Sequence, residues 1–188
     1  FMDMLGYDVV FMPEVHHTAV PLQDYGGRNR LLASDKGSKA WAADEAGGVA
    51  FRLSERAAES LDTWDVIQGS GARAMWIQLR TATGPIIVVG FYSPPHYRRA
   101  FPTQANVLAA VSEFVTSAKA TTPVMVLCDA NAQLTRYQSG QTGRWCLRTT
   151  SQYMPAAQKK ASQRLHQFLE DTGLWAVSTG RKARPSRR

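Results

Sequence analysis

A chain of 188 residues, 44% of them hydrophobic, can enclose one core and is too apolar for a disordered tail. No stretch nears the roughly 20 apolar residues a membrane-spanning helix needs, and the two cysteines and four scattered histidines make neither a disulfide framework nor a zinc signature. The net charge of +7 is uneven: residues 1–133 hold 11 Lys/Arg against 13 Asp/Glu, and residues 134–188 hold 11 against 2, so the last third reads as a polyanion-binding surface.

The opening Phe1-Met2-Asp3-Met4 lacks the basic and apolar segments of a secretion signal. With no Met at position 1, the chain reads as part of a longer polypeptide in an intracellular setting. The first strand expected is Val9-Val10-Phe11-Met12, running into Pro13-Glu14. The second is Gly48-Val49-Ala50-Phe51. Gly69-Ser70-Gly71 is too short to cradle a phosphate. Ala74–Leu79 alternates weakly, and Ile86–Phe91 is a continuous apolar run suited to a strand covered on both faces. It runs into Tyr92-Ser93-Pro94-Pro95.

Val107, Leu108, Val111, Phe114, Val115 and Ala118 then fall on one face of a helix, with Pro102-Thr103 as its start and Thr121-Thr122-Pro123 as its stop. Val124–Cys128 is a second continuous apolar strand, in which Cys128 reads as a buried residue, and it ends in Asp129-Ala130-Asn131. Residues 132–158 read as a long irregular loop, which in a compact domain is more often functional than idle. A last helix carries Ala161, Leu165, Phe168 and Leu169 on one face and ends near Gly173. Residues 180–188 read as a basic tail, disordered in isolation. Helices mixed among strands buried on both faces predict an α/β fold of layered sandwich type.

Three strands thus deliver polar groups at their carboxyl ends: Glu14, Tyr92, and Asp129 with Asn131. Ligands commonly bind outside the carboxyl ends of strands in α/β sheets. Glu14 and Asp129 are hard oxygen donors of the kind Mg²⁺ takes. Asn131 can hydrogen-bond a phosphate or an attacking water, and Tyr92 can donate to a non-bridging phosphate oxygen as charge builds on it. Singly, each has a plainer use, as a turn former, a cap or an amphipathic edge residue. Their agreement at three strand ends is the signal. No Walker A sequence, Gly-x-Ser-x-Gly elbow or His-Glu-x-x-His motif points to another chemistry.

At these residues the chain resembles the endonuclease/exonuclease/phosphatase superfamily, above all the apurinic-like endonuclease domains of non-LTR retrotransposons. Phe11–His16 (FMPEVH) is similar to the family's LQETH element, Val88–Pro95 (VVGFYSPP) to IINVYAPP, and Val124–Gln133 (VMVLCDANAQ) to VIIGGDFNA. Ala46–Phe51 (AGGVAF) matches the GGVAI strand, and Ala161–Thr179 resembles the helix and strand that follow the Asp/Asn loop. The likeness covers about residues 1–179, which it implies to be one incomplete domain.

The resemblance implies a four-layered α/β sandwich with two mixed sheets flanked by helices. It also implies phosphodiester hydrolysis with Mg²⁺ or Mn²⁺. Carried over, Glu14 is the metal ligand, Tyr92 and Asn131 position phosphate, and Asp129 aligns the attacking water. DNA is the expected substrate, with RNA as an alternative and no membrane partner, in a retroelement polyprotein acting in the nucleus. Arg136, Arg144, Arg148, Lys159, Lys160 and Arg164 are expected to face phosphates, with Trp145 and Tyr137 among them able to stack on bases. The family's leading Asn strand and closing Ser-Asp-His element have no match here. His16, His17, His96 and His166 lie in no such element, so the resemblance implies a weak or inactive chain in isolation. Competing readings are a degenerate nucleic-acid binder and a repair or RNA-directed nuclease of the same superfamily.

Overall fold

The computed structural model describes residues 6–15, 30–34, 48–94, 103–134 and 154–176. They form seven strands and three helices. In chain order these are β1 (Val9–Val15), β2 (Arg30–Ala33), β3 (Gly48–Leu53), α1 (Glu55–Glu59), β4 (Leu61–Val66), β5 (Ala74–Thr81), β6 (Gly84–Tyr92), α2 (Gln104–Lys119), β7 (Val124–Asp129) and α3 (Ala156–Thr172). Two sheets result, ordered β1-β3-β2 and β4-β5-β6-β7. Among the described residues the first is antiparallel, and the two sheets with their helices make the expected α/β sandwich. Only the second is mixed, because β7 alone joins its neighbour β6 in parallel. That parallel step requires a crossover, and α2 supplies it.

Side-chain alternation on β6 explains the layering. Ile87, Val89 and Phe91 point to one face, where they pack with Val107, Leu108, Val111 and Val115 of α2 and Leu165, Phe168 and Leu169 of α3. The Phe91 and Phe168 rings meet edge to face at 5.6 Å. Val88 and Tyr92 point to the other face, against Val49, Phe51 and Leu53 of β3. A strand with both faces covered must read as one apolar run, and residues 86–91 do. The layers among the described residues are therefore sheet, sheet, helices.

The strand β7 departs from the sequence expectation. It is the last strand of its sheet among the described residues, and Met125 is 51% exposed. Cys128 is exposed, not buried.

Local chemistry accounts for the helix ends. Thr103 caps α2: its backbone N–H donates to Asn106 Oδ1 at 3.0 Å, and its hydroxyl accepts from the Asn106 N–H at 3.4 Å. Gly173, at φ 60°, ends α3 in the left-handed conformation that glycine adopts without Cβ strain. Lys119 Nζ donates to Thr172 O at 2.6 Å and joins the two helix C-termini, where a cation is favoured. Ser54 caps α1 and donates to Asp8 Oδ1 at 3.0 Å; Arg56 also bonds Asp8, and that bond leads the causes holding its carboxyl below the usual range.

Gly90 governs how closely the two sheets approach. A Cβ there would overlap the Phe11 ring and sit 2.7 Å from Phe51 Cζ, inside any real carbon–carbon contact. Those rings pair across β1 and β3 at 5.7 Å, and Phe51 is fully buried, so it has no free space to turn into. Gly90→Ala is expected to destabilise the chain by about 1–3 kcal/mol, as overpacking does. Urea unfolding followed by circular dichroism checks it; an unchanged midpoint would mean that the sheets sit further apart.

Candidate functional site

The site is built at the carboxyl ends of β1, β6 and β7. Tyr92 and Asp129 are register partners on the parallel pair β6–β7, so the two side chains leave neighbouring strands at the same level. Beyond them, the Ser93 N–H donates to Asp129 O at 2.8 Å and the Asn131 Nδ2 donates to Ser93 O at 2.9 Å. The Asn131 N–H donates to Asp129 Oδ1 at 3.1 Å, an Asx turn. The turn reading and the functional reading of Asp129 are compatible, because the turn occupies one carboxylate oxygen.

Glu14 comes from the other sheet. The β1–β3 register slips between Met12 and Val15, and Glu14 sits in that slip with φ 52°. A bulge re-aims a side chain that strict alternation would send elsewhere. Here it turns Glu14 to Tyr92, whose hydroxyl donates to Glu14 Oε1. Tyr92 is 1% exposed, so its phenol is a fixed post under the glutamate. Asn131 also has positive φ, at 43°. Of the three non-glycine residues in this region among those described, two belong to the site. Such backbone persists only where the surroundings over-determine it, and it concentrates at functional sites.

All four strand-end residues singled out in the sequence therefore lie in one place. The basic residues divide. Lys159 and Lys160 are exposed on the first turns of α3. Arg164 is half-buried and donates to Gln104 Oε1 at 3.4 Å, and Gln104 in turn reaches Ala130 O at 3.4 Å, so Arg164 braces the Asp129–Asn131 turn. Ser162 Oγ donates to Gln133 O at 2.6 Å and anchors the same segment to α3. Arg136, Arg144, Arg148, Trp145 and Tyr137 lie outside the described residues, as do His16, His17, His96, the greater part of the expected loop and the basic tail. His166 is buried within α3's packed face.

One residue at the site escaped the sequence reading. Arg73 precedes β5, is 4% exposed, and holds its guanidinium carbon 5.6 Å from the centre of the Tyr92 ring. Its carbonyl accepts the Tyr92 N–H at 2.8 Å. The hairpin between β5 and β6 contained the signal: Thr81 pairs Gly84 and Ala74 pairs Phe91, so residue 73 must sit level with residue 92.

The donor set suits a small hard cation. Glu14 and Asp129 offer carboxylate oxygens, while the described residues contain no group of three or more His, Cys, Asp or Glu able to enclose a metal. Mg²⁺ takes one or two carboxylates and fills its other positions with water and phosphate oxygens.

By sequence, no protein-family model and no curated protein matches the chain. Solved structures do match it. TDP2 from C. elegans superposes with a TM-score of 0.50 at 16% identity, over 77% of this chain and 45% of that one. Truncated Caenorhabditis elegans TDP2 gives the same score and identity over 58% of its length. The endonuclease domain of TRAS1, a telomere-specific non-LTR retrotransposon, gives a TM-score of 0.51 at 13% identity, over 89% of this chain and 61% of that one. The chain thus spans between 45% and 61% of the length of these three structures. At this identity the likeness is one of architecture alone: this chain has an α/β sandwich fold like theirs.

Proposed function

We propose that the chain is the target-nicking endonuclease domain of a retroelement, hydrolysing phosphodiester bonds in nuclear DNA with Mg²⁺. The observation that carries this reading is the Glu14 carboxylate, bulged out of β1 and held by the Tyr92 hydroxyl beside Asp129 and Asn131. The TRAS1 domain, an endonuclease by its own description, lends support because its fold matches most of this chain.

Each group has work that follows from its position. Glu14 would hold the cation, which when bound would polarise a phosphoryl oxygen and offset charge on the leaving oxygen. Tyr92, fixed by the sheet, donates its one hydroxyl proton to Glu14 Oε1 and so sets where that carboxylate stands. Asp129 spends one oxygen on the Asx turn and has a second to orient a water and accept its proton. Asn131, locked by Ser93 O, keeps the turn at the height of the strand ends. Lys159 and Lys160 stand exposed as phosphate contacts of the sequence-independent kind.

Supercoiled plasmid incubated with the chain and Mg²⁺ is expected to convert slowly to nicked circle, in keeping with the weak activity expected of the chain by itself, and Asp129→Ala to stop the conversion. The reading fails if wild type and Asp129→Ala leave plasmid equally intact at every Mg²⁺ concentration. DNA binding with no nicking would favour a catalytically degenerate binder. Faster cleavage of an abasic duplex or of RNA would instead move the chain to a repair or RNA-directed member of the same superfamily.

A further inference from the structure

We infer that Gln104 is a positioning residue for Asp129 and Asn131, acting through the peptide that joins Ala130 to Asn131. This rests on the phosphodiester reading above and names a further residue for it. Gln104 is the first residue of α2 and only 3% exposed. A carboxamide is rarely buried so deeply unless its polar atoms are hydrogen-bonded, and here both ends are. Arg164 Nη1 donates to its Oε1 at 3.4 Å, and its Nε2 donates to Ala130 O at 3.4 Å. A guanidinium can only donate, so Arg164 decides which end of the carboxamide is which and turns the amide nitrogen to the carbonyl.

The Ala130 carbonyl is an informative acceptor. A peptide unit is planar, so its C=O and the following N–H move as one body. The N–H that shares this plane belongs to Asn131 and donates to Asp129 Oδ1 at 3.1 Å. Gln104 thus holds one edge of a plane whose other edge holds the Asp129 carboxylate. The plane has reason to turn. Asn131 sits at φ 43°, a region unfavourable to an L residue even when it is asparagine. Rotating the peptide by half a turn would return Asn131 to extended backbone and take its N–H away from Asp129. Two bonds resist that rotation: the one from Gln104 and the one to Asp129 Oδ1. With the plane fixed, one Asp129 oxygen is committed to the turn and the other keeps a constant direction. Ser162 Oγ holds the same segment at Gln133 O, but that bond does not fix this plane. The Gln104 bonds are long, so the expected effects are moderate.

Gln104→Glu separates positioning from packing. It keeps the shape and an acceptor for Arg164, whose charge favours the ionised form, and has no proton for Ala130 O. Gln104→Met, which keeps volume alone, is the second variant, and Ser162→Ala is the control. Should one Gln104 variant fail to fold by thermal unfolding, the other decides. Amide hydrogen exchange of the full chain is followed by NMR, and plasmid nicking with Mg²⁺ is followed as plasmid concentration is varied. In both Gln104 variants the Asn131 amide is expected to exchange about tenfold faster, the equivalent of one net hydrogen bond, while the amides of β6 and β7 keep wild-type rates. The kcat is expected to fall about tenfold with KM within about twofold, because a buried Gln104 acts on the turn and not on the substrate. Ser162→Ala is expected to change both readouts by less than about threefold. The inference is overturned if the Asn131 amide of Gln104→Glu exchanges as in wild type, or if kcat does not fall. It is also overturned if exchange rises across β6 and β7 as well, or if Ser162→Ala matches the Gln104 variants. A wild type that nicks no plasmid, while Asn131 exchange responds as expected, sinks the phosphodiester reading and leaves the hold on the turn in place.

Discussion

Glu14→Gln is expected to lower Mg²⁺-dependent nicking about a thousandfold, the loss typical of removing a group that stabilises developing charge. The substitution is nearly isosteric. Its amide oxygen can still accept the Tyr92 hydroxyl, so the post and bulge stay in place. Glu14 is exposed, so stability should move by no more than about 0.5 kcal/mol. What changes is the charge offered to the cation. The Mg²⁺ dependence is therefore the informative curve: raising Mg²⁺ should restore part of the rate in Glu14→Gln and none in Asp129→Ala, where the group that orients the water is lost. A Glu14→Gln chain that nicks within a few-fold of wild type at low Mg²⁺ would remove Glu14 from the metal site.

The second large effect is on stability. Phe91→Ala should destabilise the chain by about 3–5 kcal/mol, much of the stability of an ordinary domain. Phe91 is completely buried, packs edge to face on Phe168, and sits in the strand that both helices cover. The change leaves a cavity where β6 meets α2 and α3, one residue before Tyr92. Denaturant unfolding should show the midpoint falling steeply. Nicking should fall with the folded fraction and no further, because Phe91 and Tyr92 face opposite layers. A midpoint close to wild type would mean that α3 does not close over this sheet.

The elements legible in the sequence were those whose side chains keep one pattern along their length. Residues 86–91 and 124–128 appeared as apolar runs, and α2 announced itself through its apolar stripe and its Thr103 start. The strand β4 did not. It is an edge strand in which Asp62, Thr63 and Asp65 are exposed, and such charge on an edge discourages pairing with another chain while it erases the strand signal. The four-residue strand β2 is too short to show a period of any kind. Cys128 was misjudged because an apolar run signals capacity for burial, whereas burial itself depends on what lies over the strand.

By itself the sequence determined the residue types of the site and their place at strand ends, because apolar runs and the polar residues that stop them are local features. It also determined which helix faces are buried, through the 3.6-residue period. Only the tertiary structure decided that Glu14 joins the others. That required a slip in the β1–β3 register, a backbone at φ 52°, and a hydrogen bond from a residue 78 positions away in the other sheet. Arg73 entered the site in the same manner, through hairpin register and ring stacking. The physical reason is common to both. A local pattern states what a residue can do, and the company it keeps is set by how two sheets pack, a sum over many distant contacts that no short window of sequence contains.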